Sequence, residues 1–228
     1  MTGEQHILTL DHCTLAYGKT VIASNISATL EAGQLTCLIG RNGAGKTTLI
    51  KHIIPLLKRR KEKSENVAVV LTDRLDDCQL TAYEVAAMGR MPYTGHFGTL
   101  SNHDHDIVRQ CLRKVGLTDR KLLQRTLTRL SDGERQRVMI AKAMAQQTPV
   151  IILDEPTAFL DYPSKVEVMQ MLQQLAHDDG KAILLTTHDL DIALRHCDKV
   201  WHMHHGTMTE QTPQQLLAGG NDICSIFN

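Results

Sequence analysis

The 228-residue chain predicts an α/β fold: a mainly parallel sheet, antiparallel strands near the N-terminus, and a helical block inserted between two strands. Three observations carry this. Leu35–Ile39, Val67–Leu71, Val150–Leu153 and Ile183–Leu185 are apolar at nearly every position, as strands covered on both faces must be. Segments of helical period alternate with them, the pattern of a parallel sheet with crossover helices. From Thr81 to about Leu130, by contrast, no strand is convincing and helical segments succeed one another.

Along the chain, Ile7–Leu10, Val21–Ile22 and Ile26–Leu30 read as short strands around turns at Tyr17-Gly18-Lys19 and Glu31-Ala32-Gly33. A helix begins at Lys46 with Leu49, Ile50, Ile53 and Ile54 on one side, and Pro55 is expected to restrict its continuation. The basic run Lys58 to Lys63 reads as a solvated loop. In the helical block, Thr81-Ala82-Tyr83-Glu84 has the form of a capping box, and Ile107, Cys111, Leu112 and Val115 recur at helical spacing. Helices are expected over Ser131–Ala145, Pro163–His177 and Leu190–His196, with a last hairpin about Gly206. The chain thus divides into a core of residues 1–72 and 146–228 and a helical subdomain of residues 73–145, together one domain over 1–228.

Composition narrows the function. Lys plus Arg and Asp plus Glu each number 25, so no broad positive field invites nucleic acid. No apolar run approaches the roughly 20 residues that span a bilayer, and the first residues lack the form of a signal peptide. The six cysteines are scattered without C-x-x-C spacing, the habit of reduced, cytosolic thiols. A soluble chain is expected.

Gly40-Arg41-Asn42-Gly43-Ala44-Gly45-Lys46-Thr47 matches G-x-x-x-x-G-K-[ST] between a buried strand and a helix, which identifies a P-loop NTPase. The glycines let backbone N–H groups converge on phosphates, and the helix start adds its positive dipole end. Lys46 is expected to neutralise β/γ-phosphate charge and Thr47 to ligate Mg²⁺, with Thr48 completing the triphosphate-binding set. Further on, Val150–Leu153 ends in Asp154-Glu155 at the carboxyl edge of the sheet, where such folds place ligands. Asp154 suits Mg²⁺, and Glu155, projecting differently, suits the attacking water as general base. Alone, the pair is also what any strand meeting a surface turn shows.

Leu130-Ser131-Asp132-Gly133-Glu134-Arg135-Gln136-Arg137 resembles the signature of the ABC (ATP-binding cassette) family and lies where that family has it, shortly before the acidic strand. Physically it is a capped helix start offering positive potential to an anion. The resemblance implies an ATPase in which Ser131, Asp132, Gly133 and Glu134 touch the γ-phosphate held by a second copy, giving a head-to-tail dimer around two ATPs and Mg²⁺. It further implies Tyr17 as the adenine-stacking ring, Asp161 in the loop crossing the dimer interface, and His188 in Thr187-His188-Asp189 as the catalytic switch histidine beside Glu155 and Lys46. Asp132 and Glu134 depart from the family's glycine and glutamine. The family's Mg²⁺- and permease-sensing glutamine falls at Thr72, and the stretch from Lys46 to Thr72 is short, as though an antiparallel strand pair were missing.

Ala86–Tyr93, Ala145–Pro149 and Asp189–Ala193 resemble ATPases of bacterial importers for iron siderophores, haem and cobalamin. That likeness implies a peripheral subunit on the cytoplasmic face of the cell membrane. Its partners would be a separately encoded permease and, indirectly, a solute-binding protein. The rival is a soluble ABC protein of iron–sulfur assembly or regulation. His103–Asp106 and His202–His205 tempt as metal clusters, but neither supplies a clear four-ligand set, and both are read as structural or solvent-facing.

Overall fold

The computed structural model describes residues 6–58, 66–71, 78–95 and 98–218. Thr72, most of the basic run after Lys58, and Cys224 lie outside these, as does part of the short stretch between Lys46 and Thr72. Alternation of apolar and polar residues folds the N-terminal segment into a hairpin, β1 (His6–Tyr17) and β2 (Thr20–Glu31), turning at Gly18. These strands are 12 residues each, longer than the short pieces expected. Register shifts between Leu10 and Cys13 and again near Leu15, with His12 and Asn25 at positive φ, break the period of two. Bulges keep the strand while scrambling its pattern.

The main sheet has the order β4-β5-β6-β3-β7-β8. Its members are β3 (Leu35–Gly40), β4 (Val67–Val70), β5 (Val150–Leu153), β6 (Ala182–Thr186), β7 (Lys199–His204) and β8 (Thr207–Gln211). All neighbours are parallel except the β7–β8 hairpin. Period-two alternation sends its residues to two cores. Leu35, Cys37, Ile151, Leu153, Ile183 and Leu185 pack towards the helical block, while Leu38, Val150, Ile152, Leu184 and Trp201 meet the first helix and the hairpin. Both faces are covered, which is why these strands read as unbroken apolar runs.

Helix α1 (Lys46–Lys58) runs straight through Pro55, a correction to the expected stop. Proline removes one N–H bond, but Ile53 and Leu57 on either side of it are fully buried, and that apolar stripe holds the last turn. Between β4 and β5 lie α2 (Ala82–Ala87), a 3₁₀ segment (Met88–Tyr93), α3 (Asn102–Lys114), the short α4 (Arg120–Leu123) and α5 (Asp132–Ala145). Complete capping boxes start three of them: Thr81 with Glu84, Ser101 with Asp104, and Ser131 with Glu134. After β5 come α6 (Tyr162–Asp179), capped by Asp161 and ended by Gly180 in the left-handed region, α7 (Leu190–His196), and α8 (Pro213–Ala218), which the sequence did not announce. No helix among the described residues is long and apolar enough to cross a membrane.

The two histidine clusters make contacts within the fold. Asp104 caps α3 and receives Nε of Arg90 at 2.8 Å, His105 meets the Tyr83 hydroxyl at 2.8 Å, and along the last hairpin the rings of His202 and His204 meet tilted and those of His204 and His205 edge to face. Among the described residues no group of three potential ligands is placed to hold a metal. Described cysteines are all free thiols.

Arg90 is the buried fastening of the helical block. Its guanidinium donates to Asp104, to the Ala145 carbonyl at 2.9 Å and to Gln147 Oε1 at 2.8 Å, and lies 3.8 Å over the Tyr93 ring. The hydroxyl and amide of Ser101, then Arg90, hold the Asp104 carboxyl down to about 2. Arg90→Ala leaves that carboxylate with its Ser101 bonds alone and removes the donor to Ala145 and Gln147, and urea denaturation at neutral pH is expected to show a loss of about 3 kcal/mol. The sign of the pH dependence is set by the depressed value. Stabilisation is complete above the ordinary carboxyl value of 3.8 and vanishes as pH falls through about 2. The gap between wild type and variant therefore narrows across that acid window.

Candidate functional site

Parallel strands end at one edge, and there the loops after β3, β5 and β6 meet. The loop Gly40–Gly45 leaves β3 and feeds α1. Gly40 has φ 149°, and a Cβ there would sit 2.5 Å from the Met203 carbonyl oxygen; Gly45 has φ 104°, and its Cβ would strike Ile22. Both positions demand glycine for space and for backbone angle alike. Ala44 N–H donates to the Arg41 carbonyl at 3.1 Å, closing the loop, and Leu49 N–H to the Gly45 carbonyl at 2.8 Å begins the helix.

Lys46 is buried, its ammonium donating to the carbonyls of Gly40 at 2.7 Å and Arg41 at 3.1 Å. Burial lowers its pKa, and the carboxylates of Glu155 and Asp154 oppose that fall. The two acids extend from β5. Asp154 N–H continues the ladder to the Val70 carbonyl at 2.8 Å, and Glu155 takes φ 47°. Beyond β6, His188 Nε2 stands 2.5 Å from Glu155 Oε1. Asp189 ties this loop to its surroundings, accepting from Thr157 Oγ1 at 3.3 Å and from Lys165 Nζ at 3.1 Å.

Together these residues line a cleft of about 340 Å³ whose walls are Tyr17, Ile22, Asn42, Gly43, Gly45, Lys46, Thr47, Thr48, Asp154, Glu155 and His188. Gly40, Arg41 and Ala44 shape the loop behind it. Tyr17 is 71% exposed, so its ring stands open at the rim. The cleft brings together from five separate elements Tyr17, most of the phosphate loop, both acids and His188.

Two predicted groups are not gathered. Ser131, Asp132, Gly133 and Glu134 form the exposed start of α5, and Asp161 caps α6 nearby, neither lining the cleft. A Cβ on Gly133 would come 3.6 Å from Ser164 Oγ, so the two helix starts adjoin. Sequence reasoning missed Ile22, Thr157, Lys165 and Thr186. Thr186 carried a visible signal, a hydroxyl closing an apolar strand beside the acidic one.

A family model described as "ABC transporter" matches residues 23–158. The achromobactin transport ATP-binding protein of Dickeya dadantii is 35% identical over 97% of this chain and 87% of its own length. The iron(3+)-hydroxamate import ATP-binding protein of Bacillus subtilis is 30% identical over 90% of this chain and 81% of its own. Among solved structures, cbiO1 from Clostridium perfringens, part of the ABC transporter complex cbiONQ, aligns with a TM-score of 0.81 at 26% identity, covering 95% of this chain and 92% of that one.

The loop geometry yields a test. Gly45→Ala adds both a steric clash and a strained φ, which costs about 1–3 kcal/mol from the backbone alone. Trimming the obstacle with Ile22→Ala in the same chain is expected to return only the steric part. Thermal melts of the single and double variants measure the remainder.

Proposed function

The chain belongs to the ABC transporter family as an ATP-binding, ATP-hydrolysing subunit, and we propose that it powers import of a metal chelate, such as an iron siderophore, haem or a corrinoid, through a separately encoded permease. The observation that carries the reading is the single cleft joining the phosphate loop, both acids and His188. Two relatives of similar length are named for achromobactin transport and for iron(3+)-hydroxamate import, which supports the substrate class.

In this reading the loop amides and Lys46 hold the β- and γ-phosphates, and Tyr17 stacks on adenine. Lys46 is held at the loop by the Gly40 and Arg41 carbonyls, so its charge is already positioned where negative charge develops on the γ-phosphate. Glu155 orients the attacking water and takes its proton, while His188, in contact with Glu155, fixes that carboxylate and reaches towards the γ-phosphate. The Thr47 hydroxyl and the Asp154 carboxylate, both lining the cleft, are the hard oxygen donors that suit Mg²⁺ beside phosphates, where it neutralises phosphate charge.

Residues 73–145 act as a helical subdomain against a core of 1–72 and 146–228. Ser131, Asp132, Gly133 and Glu134 close the cleft of a second copy, and Asp161 lies at that interface. A pocket completed only across the dimer makes closure depend on ATP, and the difference between ATP- and ADP-bound pairs is what moves a permease. The subunit works peripherally on the cytoplasmic face of the membrane, with a solute-binding protein delivering cargo on the far side.

Lys46→Ala is expected to abolish ATP turnover, and Glu155→Gln to slow it by at least a hundredfold while trapping an ATP-bound dimer on size exclusion. A monomer there contradicts the sandwich. With the permease encoded beside it in proteoliposomes, turnover is expected to rise several-fold on adding a loaded solute-binding protein. Absence of that rise, and no polytopic membrane protein co-purifying, favours a soluble ABC ATPase instead.

A further inference from the structure

We propose that Thr186 is a positioning residue for hydrolysis, a single hydroxyl that sets the direction of both acids at the end of β5. The inference rests on the proposed roles of Asp154 and Glu155. Leu153 and Leu185 are register partners in the parallel β5–β6 ladder, so the next residues, Asp154 and Thr186, stand side by side where both strands leave the sheet. Thr186 is fully buried. Its Oγ1 accepts the Glu155 N–H at 2.9 Å and donates its proton to Asp154 Oδ1 at 2.6 Å.

Each bond constrains a different acid. The bond to the Glu155 amide holds a non-glycine residue at φ 47°, a backbone state that persists only where the surroundings over-determine it. Through it the Glu155 side chain is turned from the strand direction towards His188. The bond to Asp154 takes up one carboxylate oxygen and so restrains the group's orientation. Both effects act on the placing of groups that touch water and metal, and misplacement by about 1 Å is enough to cost about a hundredfold in rate.

Thr186 does not itself line the cleft, so it acts through Asp154 and Glu155. Thr186→Val preserves shape, burial and strand preference and deletes both hydrogen bonds; Thr186→Ser keeps both. The valine variant is expected to lose ten- to a hundredfold in kcat, more than the several-fold rise in KM for MgATP that accompanies it, and serine to restore most of the rate. A second readout does not involve turnover. Affinity for a fluorescent ATP analogue in EDTA stays unchanged in the valine variant, whereas the added affinity conferred by Mg²⁺ falls several-fold.

Should the valine variant be too unstable to purify, Thr186→Ala removes the same hydroxyl and is read in the same way. Retention of full kcat and full Mg²⁺ enhancement by either variant overturns the inference. So does a loss that serine fails to rescue. Glu155→Gln and Lys46→Ala run alongside separate this from failure of the underlying reading: if those turn over normally, the site itself is wrong, whereas if they are dead and Thr186→Val is normal, only the role of Thr186 falls.

Discussion

Parallel pairing of β5, β6 and β3 is the constraint on which the site depends. Antiparallel neighbours would send successive loops to opposite edges; parallel ones deliver the loops after all three strands to the same edge. The registers are tight there, with Cys37 beside Leu185 and Leu185 beside Leu153. Lys46, the two acids and His188 therefore converge without any direct sequence neighbourhood. The antiparallel hairpin is added from outside, bringing Tyr17 to the rim and Ile22 against Gly45. It is held to the sheet by Glu210, which accepts from the Thr29 amide and hydroxyl and from Trp201 Nε1.

What the sequence made legible is what depends on local pattern. Strands buried on both faces announced themselves as apolar runs, and the phosphate loop and acid pair as fixed spacings. Features that depend on distant partners stayed hidden. The length of β1 and β2 was masked by bulges at His12 and Asn25, whose positive φ is imposed by cross-strand fit. Pro55 reads locally as a stop, yet packing of Leu57 carries α1 past it. Thr186 meets Glu155 and Asp154 from 31 and 32 positions away, so only the strand register reveals the contact. The signature residues are a third case, since a single chain shows their helix start and not what they touch.

The two acids that depart from the family pattern there are less free than the sequence suggests. Glu134 Oε2 accepts the Ser131 amide at 2.8 Å, and Ser131 Oγ accepts the Glu134 amide at 3.2 Å, so the carboxylate is turned back onto the cap. Asp132 lies 3.8 Å from the Arg135 guanidinium. Each negative charge thus has a local partner, and the helix dipole favours acids in this first turn. Repulsion of an approaching phosphate is weaker than a count of charges implies.

The far end of the same helix is held differently. Its last carbonyl, on Ala145, accepts from Arg90, and Gly89 lies so close to the Lys142 carbonyl that any side chain there would collide with it. A helix of 14 residues is about 21 Å long and bends little without proline or an inserted side chain. Ser131 is therefore placed by the packing at Arg90 as much as by its own cap. The 3₁₀ segment, whose Met91 and Tyr93 are exposed, is packed against this same end of α5 through Arg90 and Gly89. That makes the grip of Arg90, at the opposite end of α5, a determinant of where Ser131 and its cap stand.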